Sequence, residues 1–418
     1  MHHLYKKLAE SLNALKIQDN MTIAVACSGG SDSMALTLLA QEWAKTAGIK
    51  IVALTVDHGL RTTSAAETKQ VGKWLKKYAI AHHIMCWKGK KPTRNIQEEA
   101  RKARYQLLAA YCAEHNITYL LVAHHLEDQA ETFLLRLARG SGVDGLSAMA
   151  STNELYGITL VRPFIASPKS DLLHYLKMRK QKYIHDPSNE NSVYDRVKMR
   201  KLMPQLAEVG LTAERLAKTA ALMAQARTHL EEETDRVVKT ACQIFPEGYA
   251  LLHSLDVSDE IALRVLARLL MIIGGTDVRP RLSDLQRLYE AIKSPSFKGA
   301  TLNGCIFSAH KGNILIFREP NAVAPPIAIK SGKEAPWDSR FMISLLAPRA
   351  SFTIGALTQE GWLAIARKHK ICNPYPNKKI LYGLPTLRDG KGKIIAVPHL
   401  GFSAKNILCT ITTAKAGR

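Results

Sequence analysis

Residues 22–37 read Thr-Ile-Ala-Val-Ala-Cys-Ser-Gly-Gly-Ser-Asp-Ser-Met-Ala-Leu-Thr, and this stretch decides the fold of the first half of the chain. The apolar run at 23–26 is typical of a β-strand, and the apolar pattern that begins at Met34 is typical of a helix. Between them, residues 28–33 form a turn whose glycines permit positive φ and close approach of the backbone to a ligand. Backbone N–H groups and hydroxyls converge there, at the positive end of a helix dipole. The pattern predicts a phosphate-binding loop.

The loop contains Asp32 and no lysine. It therefore differs from the Gly-x-x-x-x-Gly-Lys-Ser/Thr loop, whose lysine reaches the phosphates. A bare carboxylate would repel a polyphosphate, so we predict that Mg²⁺ lies between Asp32 and the phosphates. An ordinary glycine turn, in which Ser or Asp caps a helix, is the alternative. The complete six-residue string after a strand favours the phosphate site.

Composition points to a polyanionic partner. The 418 residues include 58 Lys and Arg against 36 Asp and Glu, a formal net charge of +22, and a chain of this length predicts two or three domains. Such an excess suggests nucleic acid or an anionic membrane surface. The most apolar helix candidate, 261–273, contains two arginines, and the amino terminus lacks the apolar stretch of a signal peptide. The seven cysteines form no Cys-x-x-Cys pair, as is typical of reduced thiols. We therefore expect a cytoplasmic protein that binds nucleic acid and no membrane.

Strand and helix patterns alternate in the first half of the chain. The predicted strands are 22–26, 51–56, 82–87 and 119–123, and the predicted helices are 33–46, 65–78 and 96–115. This alternation predicts an α/β fold with a doubly wound parallel sheet, whose ligands bind beyond the carboxyl ends of the strands. The glycine loop, Asp57-His58 and His124-His125 each follow a strand, so we expect all three at one edge of the sheet.

The second half is predicted to be helical first and mixed afterwards. Residues 168–208 are predicted to form helix, loop (186–189) and helix, residues 212–295 are predicted to be helical, and strand patterns return at 305–308 and 314–317. The proline-rich residues 320–336 are typical of a linker. We predict a catalytic domain at 1–208, a mainly helical domain at 209–320, a linker at 321–336 and a small α+β domain at 337–418.

Two carboxylates open the helix that follows His124-His125. Asp128 and Glu131 are three residues apart and so share a helix face, whereas Glu127 points elsewhere. Carboxylates in a first turn commonly interact with the helix dipole, and two histidines can simply pack or cap. A zinc site is disfavoured because it prefers histidines at i, i+4 or cysteines. A paired-carboxylate site for a cationic amine fits the spacing better.

Two weaker signals lie near the predicted nucleotide loop. Asp57-His58-Gly59 is an ordinary turn when taken alone, but its place at a strand end next to the loop favours a nucleotide contact. Arg101 and Arg104 share a helix face. Most such arginines are solvated surface charges, and contact with a nucleotide is the alternative.

Taken together, these motifs resemble the tRNA(Ile)-lysidine synthetases, a family of the PP-loop N-type ATP pyrophosphatases. The resemblance is dense over residues 21–206, looser over the helical middle and weak at 384–401. It is carried by residues 28–33, 57–61, 100–101, 104–105, 124–132, 139–146, 162–163 and 186–189, and by Arg196, Arg200 and Pro204.

The resemblance implies a defined reaction and its partners. ATP adenylates the 2-carbonyl oxygen of the wobble cytidine in the CAU anticodon of tRNA(Ile), releasing pyrophosphate, and the ε-amine of free L-lysine then displaces AMP to give lysidine. ATP, Mg²⁺, L-lysine and tRNA(Ile) are the implied partners. The oligomeric state is left open, and a homodimer is one arrangement.

The resemblance also implies roles for individual residues. Asp128 and Glu131 receive the lysine amine, and with Asp32, which also holds the metal, they form the catalytic set. Arg196 and Arg200 contact the tRNA. The residues implied for ATP are Ser28, Gly29, Gly30, Ser31, Asp32, Ser33, Asp57, His58, Arg104 and His125.

This sequence departs from the family pattern at three places. Glu127 stands where family members often have Asp, and Val197 stands where Asn often occurs. The carboxyl-terminal region lacks an expected Gly-Gly-Glu segment, so its tRNA contacts are not carried over.

Two other functions are open from the sequence. A PP-loop tRNA thiolase uses the same ATP chemistry but needs a sulfur carrier, and Cys27 beside the loop has no second cysteine near it in sequence. A basic RNA-binding protein with a non-catalytic nucleotide loop is the other alternative, and the intact Asp32, Asp128 and Glu131 argue against it.

Overall fold

The computed structural model describes residues 2–15, 17–18, 20–59, 63–89, 96–185, 195–347, 351–404 and 407–413. The chain divides into two compact units, Met1–Thr228 and His229–Arg418, and each is described by itself. Within the described ranges, every helix is too short or too polar to cross a bilayer.

The first unit is a sheet with helices on both faces. Its strands are β1 (Thr22–Ala26), β2 (Lys50–Asp57), β3 (Ala81–Cys86), β4 (Tyr119–Leu121), β5 (Thr152–Leu155) and β6 (Ile158–Val161). Its helices are α1 (His2–Asn13), α2 (Ser31–Ala47), α3 (Ser64–Lys76), α4 (Ile96–Glu114), α5 (Leu126–Leu137), α6 (Val143–Leu146), α7 (Lys169–Met178) and α8 (Asp195–Glu208), followed by α9 (Ala213–Ala241), in which the boundary between the units falls.

The strand order of this sheet creates a switch point at β1. The described strands lie in the order β3-β2-β1-β4-β6-β5, all parallel except β5, which is antiparallel to β6. The chain leaves β1 towards β2 on one side and returns to β4 on the other. In open α/β sheets a ligand binds in the crevice beyond the strand ends at such a point. The predicted doubly wound sheet is confirmed, and its predicted strand and helix limits agree with the observed ones to within two residues.

Both faces of the sheet are buried because alternate side chains of a strand point to opposite faces. Ile23 and Val25 lie in the core formed with α1, α2 and α7, whereas Ala24 lies in the core formed with α4. A third apolar cluster packs α8 and α9 against α5; it includes Phe133 and Met199. This packing fixes α8 beside α5.

The second unit combines helices with antiparallel sheets. Besides the remainder of α9, its helices are α10 (Asp259–Gly274), α11 (Leu282–Lys293), α12 (Thr358–His369) and α13 (Lys379–Tyr382). Its strands are β7 (Cys242–Phe245), β8 (Tyr249–Leu252), β9 (Gly299–Leu302), β10 (Cys305–His310), β11 (Asn313–Arg318), β12 (Ile327–Lys330), β13 (Lys333–Trp337), β14 (Phe341–Leu346), β15 (Ser351–Ala356), β16 (Pro385–Arg388), β17 (Ile394–Val397), β18 (Phe402–Ser403) and β19 (Leu408–Thr413). In the described part of the unit they pair in the orders β7-β8-β11-β10-β9, β12-β15-β16-β17-β18 and β13-β14-β19.

The second unit differs from the sequence prediction in two places. Residues 242–252, predicted as helix, form the hairpin β7–β8, which turns at Gly248 with φ +83°. Residues 321–336, predicted as a linker, contain β12 and all but the last residue of β13. Pro336 lies in β13, an edge strand of its sheet, where a residue without an N–H is tolerated. The domain limits at 208, 320 and 336 remain predictions.

Candidate nucleotide site at the sheet switch point

The loop after β1 turns at Gly29. Its φ is +86°, and a Cβ built there would lie 2.4 Å from Cγ2 of Val71 and 3.0 Å from Cγ1 of Ile184. Gly30 has an ordinary extended conformation, with φ −69° and ψ 165°. Only the first of the paired glycines therefore uses the conformational freedom that the sequence suggested for both.

Two serines hold the loop in shape. The backbone N–H of Ser28 donates to Oγ of Ser33 at 3.1 Å, and that hydroxyl donates to the carbonyl oxygen of Gly30 at 3.1 Å. The Ser28 and Ser33 hydroxyl oxygens lie 3.1 Å apart. No described side chain caps α2 at Gly30. The first N–H groups of α2 are therefore available to an anion, as an anion site requires.

Asp32 lies between two basic side chains. Its Oδ1 accepts a hydrogen bond from Ser31 Oγ at 3.0 Å, while Oδ2 lies 3.5 Å from Nζ of Lys169 and 3.7 Å from Nε2 of His125. The sequence identified Asp32 and His125 but missed Lys169. The available signal was Pro168, which caps the helix that follows β6 and so places Lys169 at the switch point.

His125 is buried among carboxylates. Its side chain is 3% exposed; Nδ1 lies 2.9 Å from Oε2 of Glu127, and Nε2 lies 3.5 Å from Oδ2 of Asp128. Burial disfavours the imidazolium, but the hydrogen bond to Glu127 and the charges of Asp128 and Asp32 outweigh it and raise the pKa of His125. The backbone N–H of His125 also donates to Asp128 Oδ2 at 3.1 Å, which caps α5.

The neighbouring His124 has the opposite character. Arg162 Nε donates to His124 Nδ1 at 3.3 Å. Burial, assisted by the Arg162 charge and opposed by that of Asp128, lowers the pKa of His124 to about 3. Of the two adjacent histidines, His124 is therefore neutral, whereas His125 favours the charged form. Arg162 belongs to the stretch 162–163 that carried the family resemblance, but its contact with His124 was not predicted.

Asp128 and Glu127 are held in the charged form. Burial alone would raise the pKa of Asp128, but the charges of His125 and Arg196 lower it. Burial likewise opposes ionisation of Glu127, whose pKa is lowered by hydrogen bonds from His125 and from the backbone N–H of Lys169. An ionised Asp128 at this place suits a cationic ligand.

Glu131 is occupied by two arginines. Its side chain is 1% exposed, and its carboxylate lies 3.1 Å from Arg196 Nε and 2.7 Å from Arg200 Nε. Arg200 Nη2 donates a further bond at 3.2 Å, and Arg196 Nη2 lies 3.6 Å from Asp128 Oδ1. The structure thus joins the residues predicted for lysine with those predicted for tRNA. The Glu131 carboxylate is therefore already paired with two cations.

Asp57 and His58, two of the weaker sequence signals, each contact neighbouring residues. Asp57 Oδ1 accepts bonds from the N–H of Gly59 at 2.9 Å and from Ser64 Oγ at 2.7 Å, and so links the end of β2 to the start of α3. The ring of His58 packs edge-on against Trp87, with centroids 6.1 Å apart.

Arg101 and Arg104 both lie over the ring of Tyr105, with each guanidinium carbon 5.1 Å from its centroid. Residues 60–61 and 186–189, which contributed to the resemblance, lie outside the described residues.

Cys27, the residue on which sulfur chemistry would depend, is unsuited to it. The thiol is buried and contacts Met34 Sδ at 3.7 Å. Burial raises its pKa. A reactive cysteine needs an exposed thiol with a lowered pKa, so this geometry disfavours the thiolase alternative.

The residues fit Mg²⁺ that arrives with a nucleotide. The described ranges contain no group of three or more His, Cys, Asp or Glu side chains arranged to hold a metal. Mg²⁺ is usually held by one or two carboxylates together with substrate phosphates. Asp32, at the start of α2 and 24% exposed, can supply one such carboxylate beside the anion-binding loop.

Comparisons with known proteins identify the family of the chain. A family model described as a PP-loop domain matches residues 1–206. The chain is 36% identical over 395 residues to the tRNA(Ile)-lysidine synthase of Wolbachia pipientis wMel, covering 93% of this chain and 90% of that protein. It is 33% identical over 398 residues to the tRNA(Ile)-lysidine synthase of Wolbachia sp. subsp. Brugia malayi (strain TRS), covering 93% and 91%.

Among solved structures, the U34-tRNA thiolase NcsA from Methanococcus maripaludis is similar at a TM-score of 0.47 and 19% identity, over 53% of this chain and 79% of that one. A likeness at that level carries no argument about function. The relatives align over nearly their whole length at 33–36% identity, so the chain belongs to the tRNA(Ile)-lysidine synthase family.

Proposed function

We propose that the protein uses ATP to join L-lysine to C2 of the wobble cytidine in the CAU anticodon of tRNA(Ile). Family membership supports the reaction class. One observation carries the proposal. The glycine loop, which leaves the N-terminus of α2 without a side-chain cap, lies together with Asp32 and Asp128 at the switch point of the sheet. That arrangement provides an anion site and a cation site within reach of each other, as a reaction between ATP and an amine requires.

The chemistry consists of two displacements. The 2-oxygen of cytidine attacks the α-phosphorus of ATP, and the bond from that phosphorus to the bridging oxygen of the β-phosphate breaks, releasing pyrophosphate. The lysine ε-nitrogen then attacks C2, the C2–O bond breaks, and AMP leaves with the oxygen of the former carbonyl. The attacking amine loses a proton to a base. No water is consumed, and the products are lysidine, AMP and pyrophosphate.

The loop and its surroundings are proposed to bind ATP. Ser28–Ser33 hold the phosphates through backbone N–H groups and hydroxyls, and Asp32 holds Mg²⁺. When bound, Mg²⁺ neutralises charge on the departing pyrophosphate. Asp57 ends β2, His58 follows it, and Arg104 lies within α4; all three are proposed to contact the rest of the nucleotide.

The acidic cluster is proposed to receive lysine. Asp128 is ionised and offers a carboxylate for the ammonium group, whose proton must leave before attack because a protonated amine has no free electron pair. We propose that Asp128 makes the first contact. Glu131 joins it when Arg196 or Arg200 turns from Glu131 to the RNA phosphates.

Incorporation of labelled lysine into RNA tests the proposal. Purified protein, ATP and radiolabelled L-lysine are incubated with a transcript that carries a CAU anticodon, or with one whose wobble cytidine is replaced by uridine. We expect ATP-dependent label in the first RNA only. Asp128→Asn should remove the label, whereas Glu114→Gln, which changes an exposed carboxylate at the end of α4, should retain it. Absence of label from the CAU transcript with the wild-type protein would refute the proposal.

A further inference from the structure

Lys169 lies beside a phosphate loop that has no basic residue of its own. We propose that Lys169 binds the β- and γ-phosphates of ATP and then the departing pyrophosphate. The inference rests on the proposed function, since it assigns a residue to one of the two leaving groups of that reaction.

The position of the ammonium group supports this role. Lys169 Nζ lies 3.5 Å from Oδ2 of Asp32, which belongs to the first turn of α2. The ammonium group therefore lies at the same helix end as the uncapped N–H groups. A cation and a helix N-terminus that converge on one place both favour a phosphate.

The backbone of Lys169 is fixed although its side chain is not. Its N–H donates to both carboxylate oxygens of Glu127, at 3.0 and 3.2 Å, and Pro168 precedes it at the cap of α7. Tyr175, buried in the same helix, donates its hydroxyl to Glu42 of α2 at 2.8 Å. The lysine side chain is 37% exposed. Because the backbone is fixed and the four-carbon side chain is flexible, the ammonium group can stay with a phosphate as ATP is converted to pyrophosphate.

Neighbouring cations are engaged elsewhere. Arg196 and Arg200 bind Glu131, and Lys7 Nζ donates to Ser167 Oγ at 3.2 Å. Within the described part of the chain, the Lys169 ammonium contacts only Asp32. When Asp32 turns to a magnesium ion, Lys169 loses that anionic partner, and a phosphate oxygen replaces it without leaving a charge unpaired.

Three variants test the proposal. Lys169→Met removes the charge and keeps the length, Lys169→Arg keeps the charge, and Lys177→Met removes an exposed lysine from the other end of α7. The measurements are kcat, the KM values for ATP and lysine, the inhibition constant of pyrophosphate, and the thermal unfolding midpoint. Binding of pyrophosphate and of a non-hydrolysable ATP analogue is measured separately by calorimetry, with magnesium present.

Loss of a preorganised group that stabilises developing charge typically lowers kcat about 100- to 1000-fold, and we expect such a loss for Lys169→Met. We also expect its pyrophosphate inhibition constant to rise at least about tenfold, with the KM for lysine and the unfolding midpoint unchanged. Lys169→Arg should restore part of the pyrophosphate affinity. Lys177→Met should behave as the wild type.

The outcomes separate this inference from the proposed function. A wild-type protein that transfers no lysine refutes the proposed function, while calorimetry still decides whether Lys169 binds phosphate. If the wild type is active and Lys169→Met keeps its kcat and pyrophosphate affinity within twofold, the inference is wrong. A uniform loss of stability and of affinity for every substrate, or no recovery in Lys169→Arg, contradicts it as well.

Discussion

Replacing Gly29 by alanine tests whether the loop after β1 has the backbone described above. At φ +86°, a residue with a Cβ costs about 1–2 kcal/mol. The new Cβ would also lie 2.4 Å from Val71 Cγ2, and overpacking of this kind typically costs about 1–3 kcal/mol. We therefore expect Gly29→Ala to lower the unfolding free energy by about 2–5 kcal/mol. ATP affinity should fall too, because the loop must shift to relieve the contact.

Two other glycines separate the two contributions. Gly48 has φ +67° and nothing within 4 Å of an added Cβ, so Gly48→Ala should show the conformational cost alone, about 1–2 kcal/mol. Gly30 has φ −69°, and an added Cβ lies 3.6 Å from Ser28 Oγ. Gly30→Ala should leave stability unchanged or raise it by up to about 1 kcal/mol, because it restricts the unfolded chain.

Scanning calorimetry of the full chain and titration with an ATP analogue measure these effects. For a unit of this size, 1 kcal/mol corresponds to about 2–4 °C in the unfolding midpoint. We expect the order Gly30→Ala, Gly48→Ala, Gly29→Ala from most to least stable. A Gly29→Ala protein that unfolds at the same temperature as Gly30→Ala and binds nucleotide normally would refute the described loop.

Arg200→Met should lower the unfolding free energy by about 1–3 kcal/mol, because buried Glu131 loses charged hydrogen bonds. Adding Glu131→Gln to this variant should recover part of the loss. An unchanged melting temperature of Arg200→Met would contradict the pairing. The two histidines should act on stability with opposite signs of pH dependence, measured by melting at successive pH values. His124, with its pKa lowered to about 3, binds a proton more readily when unfolded, so it destabilises the fold as pH falls below about 6.5, and His124→Gln should reduce that loss. His125, with a raised pKa, contributes stability below about pH 6.5 that is lost as pH rises through its folded pKa. His125→Gln should therefore reduce the fall in stability on the alkaline side of the pH profile. Equal pH profiles for the wild type and both histidine variants would contradict both assignments. Affinity for tRNA, measured by filter binding, should fall steeply and linearly in log–log plots against salt, since lysines and arginines release counterions from phosphates, and a flat profile would exclude a basic RNA surface.

The local parts of the site could be predicted from sequence because each is encoded in a few adjacent residues. The strand, glycine turn and helix around residues 22–47 follow from apolar periodicity and from Ser-Gly-Gly, and the sheet class follows from their repetition. The sequence could not predict that Gly29 rather than Gly30 has no room for a side chain, because Val71 and Ile184, which crowd it, belong to distant segments.

Contacts between distant segments account for the rest of what sequence reasoning missed. Pro168 indicates where α7 begins, but Lys169 meets Asp32 because α7 packs on α2, and that packing is not encoded near either residue. The spacing of Asp128 and Glu131 predicted that they share a helix face. It could not predict that Arg196 and Arg200, from a distant helix, both bind Glu131. In the second unit, Pro336 suggested a linker because composition does not show whether a strand lies at an edge.

The central place of β1 has a consequence for the order in which the chain is made. Its partner β2 emerges soon after it, but β4, which covers its other edge, begins about 60 residues after β2 ends, a delay of about 3–12 s at ribosomal rates of about 5–20 residues per second. Throughout that interval the nascent β1–β2 pair exposes an apolar, unpaired edge of the kind that aggregates. Chaperone binding to stalled nascent chains should therefore be greatest for lengths that include β2 but end before β4, and should decline once Tyr119–Leu121 has emerged.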